Sequence, residues 1–175
     1  MVRLAVEHPA ILNKLVLVGG SPDSAEPEHR PLVWRTEFER AVAADDLELG
    51  IRIYASLIFS EAGTEDLAEN WLKGCLQVSP EVLRAFFFDS APDPDEDVTA
   101  LLPHVGIPTL VMHGMDDQVM RVEAGQSLKR AIPGAQFYGF AKKGHLPLFT
   151  ATQEFCDVLS SFVRYGTVPA ARPTA

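Results

Sequence analysis

The apolar positions of this chain fall into short unbroken runs and longer periodic stretches. Lys14-Leu-Val-Leu-Val18 is a continuous apolar run with β-branched residues, ended by Gly19-Gly20-Ser-Pro-Asp. Continuous rather than alternating apolarity predicts a strand buried on both faces, as in a parallel sheet. Thr109-Leu-Val-Met112 is a second such run, and Gln136-Phe-Tyr-Gly-Phe140 is a third with a less regular pattern. The remaining apolar residues recur at helical spacing. Val2–Glu7 reads as the end of a helix stopped by Pro9. Val33, Trp34, Phe38 and Val42 form one helical stripe, and Leu67, Trp71, Leu72 and Cys75 form another. Ser79-Pro80-Glu81 reads as an N-cap with proline in the first helical position, leading into Val82, Leu83, Phe86 and Phe87. The aromatic run Phe86–Phe88 is expected in the core. Ser90-Ala-Pro-Asp-Pro-Asp-Glu-Asp97 reads as a turn or linker. Arg121–Ile132 is a predicted helix ended by Pro133-Gly134. Thr150–Arg164 is the best amphipathic helix, with Phe155, Val158, Leu159, Phe162 and Val163 on one face and Thr150 with Gln153 as a capping box. Residues 167–175, rich in Pro and Ala, are expected to be a disordered tail.

The order strand, helical stretch, strand, helix, strand, helix implies parallel pairing through crossover helices. Ligands of such sheets bind beyond the carboxyl ends of the strands. Asp116, Asp117 and His145 all fall at that edge.

Composition bounds the class. A length of 175 residues with 47% hydrophobic and 22% charged residues suits one globular domain with a sizeable core. No stretch approaches the roughly 18 apolar residues that span a bilayer. Met1-Val-Arg-Leu-Ala-Val-Glu-His-Pro9 has no apolar run of signal-peptide type. Cys75 and Cys156 make no disulfide framework and no metal spacing, so a reducing cytoplasm is expected, with both as small core residues. The net charge of −9 is uneven: residues 21–100 hold 18 of the 24 acids and 6 of the 15 Lys and Arg. An acidic surface disfavours nucleic acid and anionic membranes. His8, His29, His104, His113 and His145 show no metal-ligand spacing, and no cofactor is implied. His113, before Gly114, reads as a strand-end residue near the candidate site.

A histidine serves as a general base only when one tautomer and one orientation are enforced, which a carboxylate on its other nitrogen does. Either Asp116 or Asp117 is placed to do this for His145. A lone Gly-His is ordinarily a loop histidine, and Asp-Asp in a turn ordinarily caps a helix. The two together, at the ends of successive parallel strands, point instead to an acid–histidine pair. Gly114 permits a sharp exit from its strand, and Gly144 lets the backbone approach closely ahead of the histidine.

Ile107-Pro-Thr-Leu-Val-Met-His-Gly-Met-Asp-Asp-Gln-Val-Met120, then Ala124–Ile132, Pro133-Gly-Ala and Gly144-His145, resembles the C-terminal half of the α/β-hydrolase superfamily. Arg3-Leu-Ala-Val-Glu-His-Pro9 and Lys14–Val18 are similar to the helix and strand that follow the nucleophile elbow in that family. The resemblance covers residues 2–165 and is strongest over 107–147. It implies an α/β fold, part of the α/β-hydrolase fold, with about three parallel strands, flanking helices and a helical cap insertion. Residues 1–20 and 101–166 would be the core and residues 21–100 the cap. It also implies Asp117 as the acid, with Asp116 the alternative, and His145 as the histidine of a nucleophile–His–Asp triad acting on an ester, thioester, lactone or similar small substrate.

The departures from the family pattern are as informative. Gly-x-Ser-x-Gly occurs nowhere in the 175 residues. Gly19-Gly-Ser21-Pro-Asp stands after the wrong strand, and Gly125-Gln-Ser127-Leu-Lys stands within a predicted helix and lacks the second glycine. By the family's spacing the nucleophile falls about half a dozen residues before Met1, and both oxyanion donors lie upstream as well. Met120 replaces a proline common in the family. Leu15–Val18 is then expected to expose an unpaired edge, open to an N-terminal half or to self-association. The competing expectation is a non-catalytic binding remnant of the fold, with Trp34, Trp71 and Phe86–Phe88 lining a pocket or partner surface.

Overall fold

The fold, taken from a computed structural model, is described for residues 1–23, 32–87 and 97–169, without the side chains of residues 32–35 and Phe87. Three parallel strands form one sheet: β1 (Leu15–Val18), β2 (Thr109–Gly114) and β3 (Gln136–Phe140), in the order β1-β2-β3. The register pairs Leu15 with Thr109 and Leu110 with Gln136. Each apolar run predicted as a strand is therefore a strand, and β2 runs two residues further than its apolar core, through His113 and Gly114. The central strand is buried along its whole length, as continuous apolarity requires. In contrast, β1 grades from buried Leu15 to exposed Val18 because it pairs on one side only among the described residues.

Strand alternation sorts the core onto two faces. On one face Leu15 and Val111 pack with Val2 and Ala5 of α1 (Val2–Glu7), with Leu102 and Val105 of a 3-10 segment and its cap, and with Leu128 of α6 (Val122–Ala131). On the other, Leu110, Met112, Tyr138 and Phe140 pack with Val158 and Phe162 of α8 (Thr152–Tyr165). Fully burying a side chain such as Phe140 or Phe162 stabilises by about 1.5–3 kcal/mol. The predicted stripe on α8 is real but narrower: Val163 is exposed, while Phe155 and Leu159 are half-buried.

Between β1 and β2 the chain forms a layer of helices: α2 (Leu32–Ala43), α3 (Leu47–Ile58), α4 (Glu65–Cys75) and α5 (Pro80–Phe87). Ile51, Leu72 and Leu83 make its interior. Leu57, Ile58 and Phe59 meet Val119 and Leu146, so this layer docks on the loops at the carboxyl ends of β2 and β3.

Several expectations need correction. The long C-terminal helix starts at Thr152, preceded by the short α7 (Pro147–Thr150), and the break at Ala151 abolishes the Thr150–Gln153 capping box. Thr150 donates its hydroxyl to Glu61 instead, and Gln153 donates to Asp157. Phe86 is 70% exposed rather than in the core, because α5 turns Leu83 inward and Val82 and Phe86 outward. Phe88, and the side chains of Val33, Trp34 and Phe87, lie outside the described residues. So do residues 90–96 of the linker. Trp71 is half-buried, packed on Tyr54 and the α3–α4 core. Cys156 is exposed and Cys75 half-buried. Residues 167–169 are placed, with Val168 donating its amide to Gln136 and packing on the Phe140 cluster. The rest of the tail, residues 170–175, lies outside the described residues.

Candidate active site

The ends of all three strands converge on His145. Past β2, the amides of Val119 and Met120 both donate to Asp117 Oδ1, at 2.8 Å each. This is the local turn that aspartate side chains favour, and it fixes the carboxylate with Oδ2 turned toward His113 and His145. Past β3, the loop carrying His145 is tied back to the β2 exit: Met115 N–H donates to the Phe140 carbonyl (3.0 Å) and Asp116 N–H to the Lys143 carbonyl (2.9 Å). The result is a hydrogen bond of 2.8 Å between His145 Nδ1 and Asp117 Oδ2. Because Oδ2 can only accept when ionised, Nδ1 is the protonated nitrogen and Nε2 is the one left to act as a base.

Asp117 is almost fully buried, at 5% exposure, whereas Asp116 is exposed and contributes only backbone groups and a carbonyl to Gln118. Of the two neighbouring acids, the geometry selects Asp117. Burial pushes the Asp117 carboxyl upward, but hydrogen bonds from His113 and His145, the charge of His145 and the Met120 amide outweigh it and hold the group at about 2.

His113, on the α6-facing side of β2, is wholly buried. Its Nε2 lies 2.9 Å from the Met120 carbonyl and 3.3 Å from Asp117 Oδ2. Both partners accept, so Nε2 carries the proton. Its Nδ1 has no partner and packs on Gly125, where a Cβ would stand 2.5 Å away. His113 thus braces the Asp117 turn from beneath, a closer role than a strand-end residue near the site.

Glycines make the convergence possible. A Cβ on Gly114 would run into the Gly144 carbonyl and stand 2.5 Å from the Lys143 carbonyl, so β2 and the His145 loop cross in backbone contact. Gly19, at the end of β1, has φ +58°, and a Cβ there would press on the imidazole of His145 at 3.2 Å. Glu61, in the turn after α3, accepts the Gly144 amide at 2.9 Å. The sequence pattern singled out neither Gly19 nor Glu61 for these roles. The Gly-Gly ending the first strand was a signal for the former. No periodicity signals the latter, since its partner lies 83 residues away.

An imidazole with a buried carboxylate on Nδ1 and a partly exposed ring is equipped to take a proton at Nε2 from a hydroxyl or a water. His145 makes no hydrogen bond to a Ser, Thr or Cys side chain among the described residues. Among the same residues no group of three His, Cys, Asp or Glu is arranged to hold a metal ion. No described helix is long and apolar enough to cross a membrane.

A parallel sheet with crossover helices, whose strand ends present an acid and then a histidine, is the arrangement of α/β hydrolases. No family model matches the sequence. The pimeloyl-[acyl-carrier protein] methyl ester esterase of Vibrio vulnificus strain YJ016 is 26% identical over 172 residues, covering 91% of this chain and 64% of the esterase. A 2-hydroxy-6-oxononadienedioate/2-hydroxy-6-oxononatrienedioate hydrolase from Pseudomonas sp is 25% identical over 169 residues, covering 92% of this chain and 58% of that enzyme. Among solved structures, the esterase RhEst1 from Rhodococcus sp. ECU1013 superposes with a TM-score of 0.73 at 24% identity, over 93% of this chain and 59% of the esterase. The meta-cleavage product hydrolase of Pseudomonas fluorescens IP01 does so with a TM-score of 0.66 at 21% identity, over 95% and 61%. These curated relatives and solved structures consistently indicate the α/β-hydrolase superfamily. The chain spans between 58% and 64% of the length of the curated relatives named here.

Proposed function

We propose that this chain supplies the acid and the base of an α/β-hydrolase that cleaves an ester, thioester, lactone or similar small substrate. His145 is the general base and Asp117 orients it, while the nucleophile and the oxyanion donors come from residues outside these 175. The observation that carries the reading is the 2.8 Å bond from His145 Nδ1 to buried Asp117, which leaves Nε2 as the proton acceptor. The esterase and hydrolase activities of the relatives agree with it. In this reading residues 1–20 and 101–166 form the hydrolase core and residues 21–100 the helical cap. The free edge of β1 takes up a strand from the segment that holds the nucleophile, which disposes of the aggregation hazard of an open apolar edge.

The chemistry follows in order. With a Ser or Cys nucleophile, His145 Nε2 removes its proton as the oxygen or sulfur attacks the substrate carbonyl; with an Asp nucleophile, which carries no proton, His145 activates only the water of the second step. The imidazolium formed is stabilised by Asp117, and His145 returns the proton to the leaving group. Water then repeats the sequence to release the acid. Reading the coding DNA upstream of Met1 in the same frame is expected to show a Gly-x-Ser-x-Gly, or an elbow with Asp or Cys in its centre, about half a dozen codons away. An in-frame stop there, with no companion frame encoding an elbow, would contradict the proposal.

A further inference from the structure

The turn between α3 and α4 is built as a rigid bracket. Thr64 is buried, and its hydroxyl lies 2.9 Å from the Phe59 carbonyl and 2.6 Å from the Glu61 carbonyl. Its amide bonds the Glu61 carbonyl as well, at 3.2 Å. The Glu61 backbone is thus fixed before its side chain makes any contact. From there Glu61 Oε1 accepts the Gly144 amide at 2.9 Å and the Thr150 hydroxyl at 2.6 Å. Gly144 is the residue before His145, and Thr150 is the last residue of α7, the short helix that follows it. One carboxylate oxygen therefore ties the chain on both sides of His145. The approach is close: a Cβ on Gly144 would stand 2.8 Å from Ser60 Oγ and 3.4 Å from Glu61 Oε2. Phe59 and Phe149 add an edge-on ring contact at 6.2 Å across the same junction.

We infer that Glu61 is a positioning residue, and that its clamp on Gly144 and Thr150 holds the His145 imidazole on Asp117. Asp117 fixes the ring and the Asp116-to-Lys143 bond ties the loop, both from the β2 side, which leaves the stretch after Lys143 free to pivot on the side facing the helical layer. Glu61 removes that freedom by tying the loop to the helical layer. A consequence is that the helical layer and the histidine move as one unit, so displacement of the layer disengages the base. The inference rests on the reading of His145 as the base, yet its test needs no turnover.

The test is proton NMR on the 175-residue chain. A histidine Nδ1–H bonded to a buried carboxylate gives a far-downfield resonance, assigned here by its loss in His145→Ala. Wild-type chain is expected to show it, and Glu61→Gln, which keeps an accepting oxygen, is expected to retain it. Glu61→Ala is expected to lose or broaden it and to raise the exchange rate of the Gly144 amide about tenfold, the equivalent of one lost hydrogen bond of this kind. Circular dichroism establishes that the variant is folded. If Glu61→Ala does not fold, Thr150→Val, which removes one of the two donors, is expected to speed Gly144 exchange to a smaller extent. The inference is overturned by a folded Glu61→Ala with an unchanged resonance and unchanged Gly144 exchange. It is equally overturned by an unchanged Thr150→Val or by a wild-type spectrum without the resonance. Failure to find a nucleophile elbow upstream would sink the proposed hydrolase and leave this result standing.

Discussion

Asp117→Ala should cost about 3–5 kcal/mol of folding stability, because several buried donors lose their acceptor at about 1–3 kcal/mol each. The substitution strands the amides of Val119 and Met120, which both donate to Oδ1, and takes the acceptor away from His145 and His113. Few domains have more than about 5–15 kcal/mol in total, so equilibrium urea unfolding will read the loss easily. The loss has a pH signature. The carboxyl of Asp117 is held at about 2, below its ordinary value of 3.8. A group lowered in this way stabilises the folded state above its unfolded pKa, and that stabilisation is lost as pH falls through the folded pKa. The difference corresponds to about 2 kcal/mol, present at pH 5 and above and fading between about pH 4 and pH 2. Wild-type stability should fall by that amount across the window, and Asp117→Ala should lack this component. Asp117→Asn separates stability from chemistry. Its amide oxygen still accepts from Val119 and Met120, but its NH2 group faces His145 Nδ1 as a donor and enforces the wrong tautomer. In a complete enzyme that change alone should lower kcat by about 10⁴.

Gly114→Ala should be nearly as costly, at about 3 kcal/mol, for a different reason. Gly114 has an ordinary negative φ, so no backbone strain is involved. The added methyl meets the Gly144 carbonyl and stands 2.8 Å from the carbonyl carbon. These are backbone atoms that cannot rotate away, so the loop carrying His145 must lift, breaking the Asp116-to-Lys143 hydrogen bond. Gly106→Ala is the control, because nothing lies within 4 Å of a Cβ there and its change should stay within about 0.5 kcal/mol. Thermal melting of the two variants, side by side, checks the contrast.

What the sequence made legible follows from how local each signal is. A continuous apolar run of four or five residues is enough to mark a buried parallel strand, and β1, β2 and β3 were found from such runs, although β2 continues through His113 and Gly114. The meeting of an aspartate with His145 was legible because each stands just past a strand, where the topology of a parallel sheet brings loops together. The choice between Asp116 and Asp117 was carried by resemblance, and only the fold gives it a physical reason: one points into the protein and collects two amides, the other points to solvent. Long-range contacts were not legible. Glu61 looks like an ordinary surface acid in an acidic stretch, yet it reaches across to Gly144. Thr150 looked like the cap of α8, but its hydroxyl was claimed by Glu61, and the helix begins after Ala151. Phe86 and Val163 sat in apolar stripes whose true width depended on how many elements cover them, which periodicity cannot report.

The most direct measurement is the hydrolysis of a fluorogenic short-chain ester by the purified 175-residue chain. The account predicts no turnover above background, identical in wild type and His145→Ala, because an oriented base without a nucleophile or oxyanion donors lacks the main catalytic contributions. Turnover by this chain alone, abolished by His145→Ala, would contradict the claim that its nucleophile lies outside these residues.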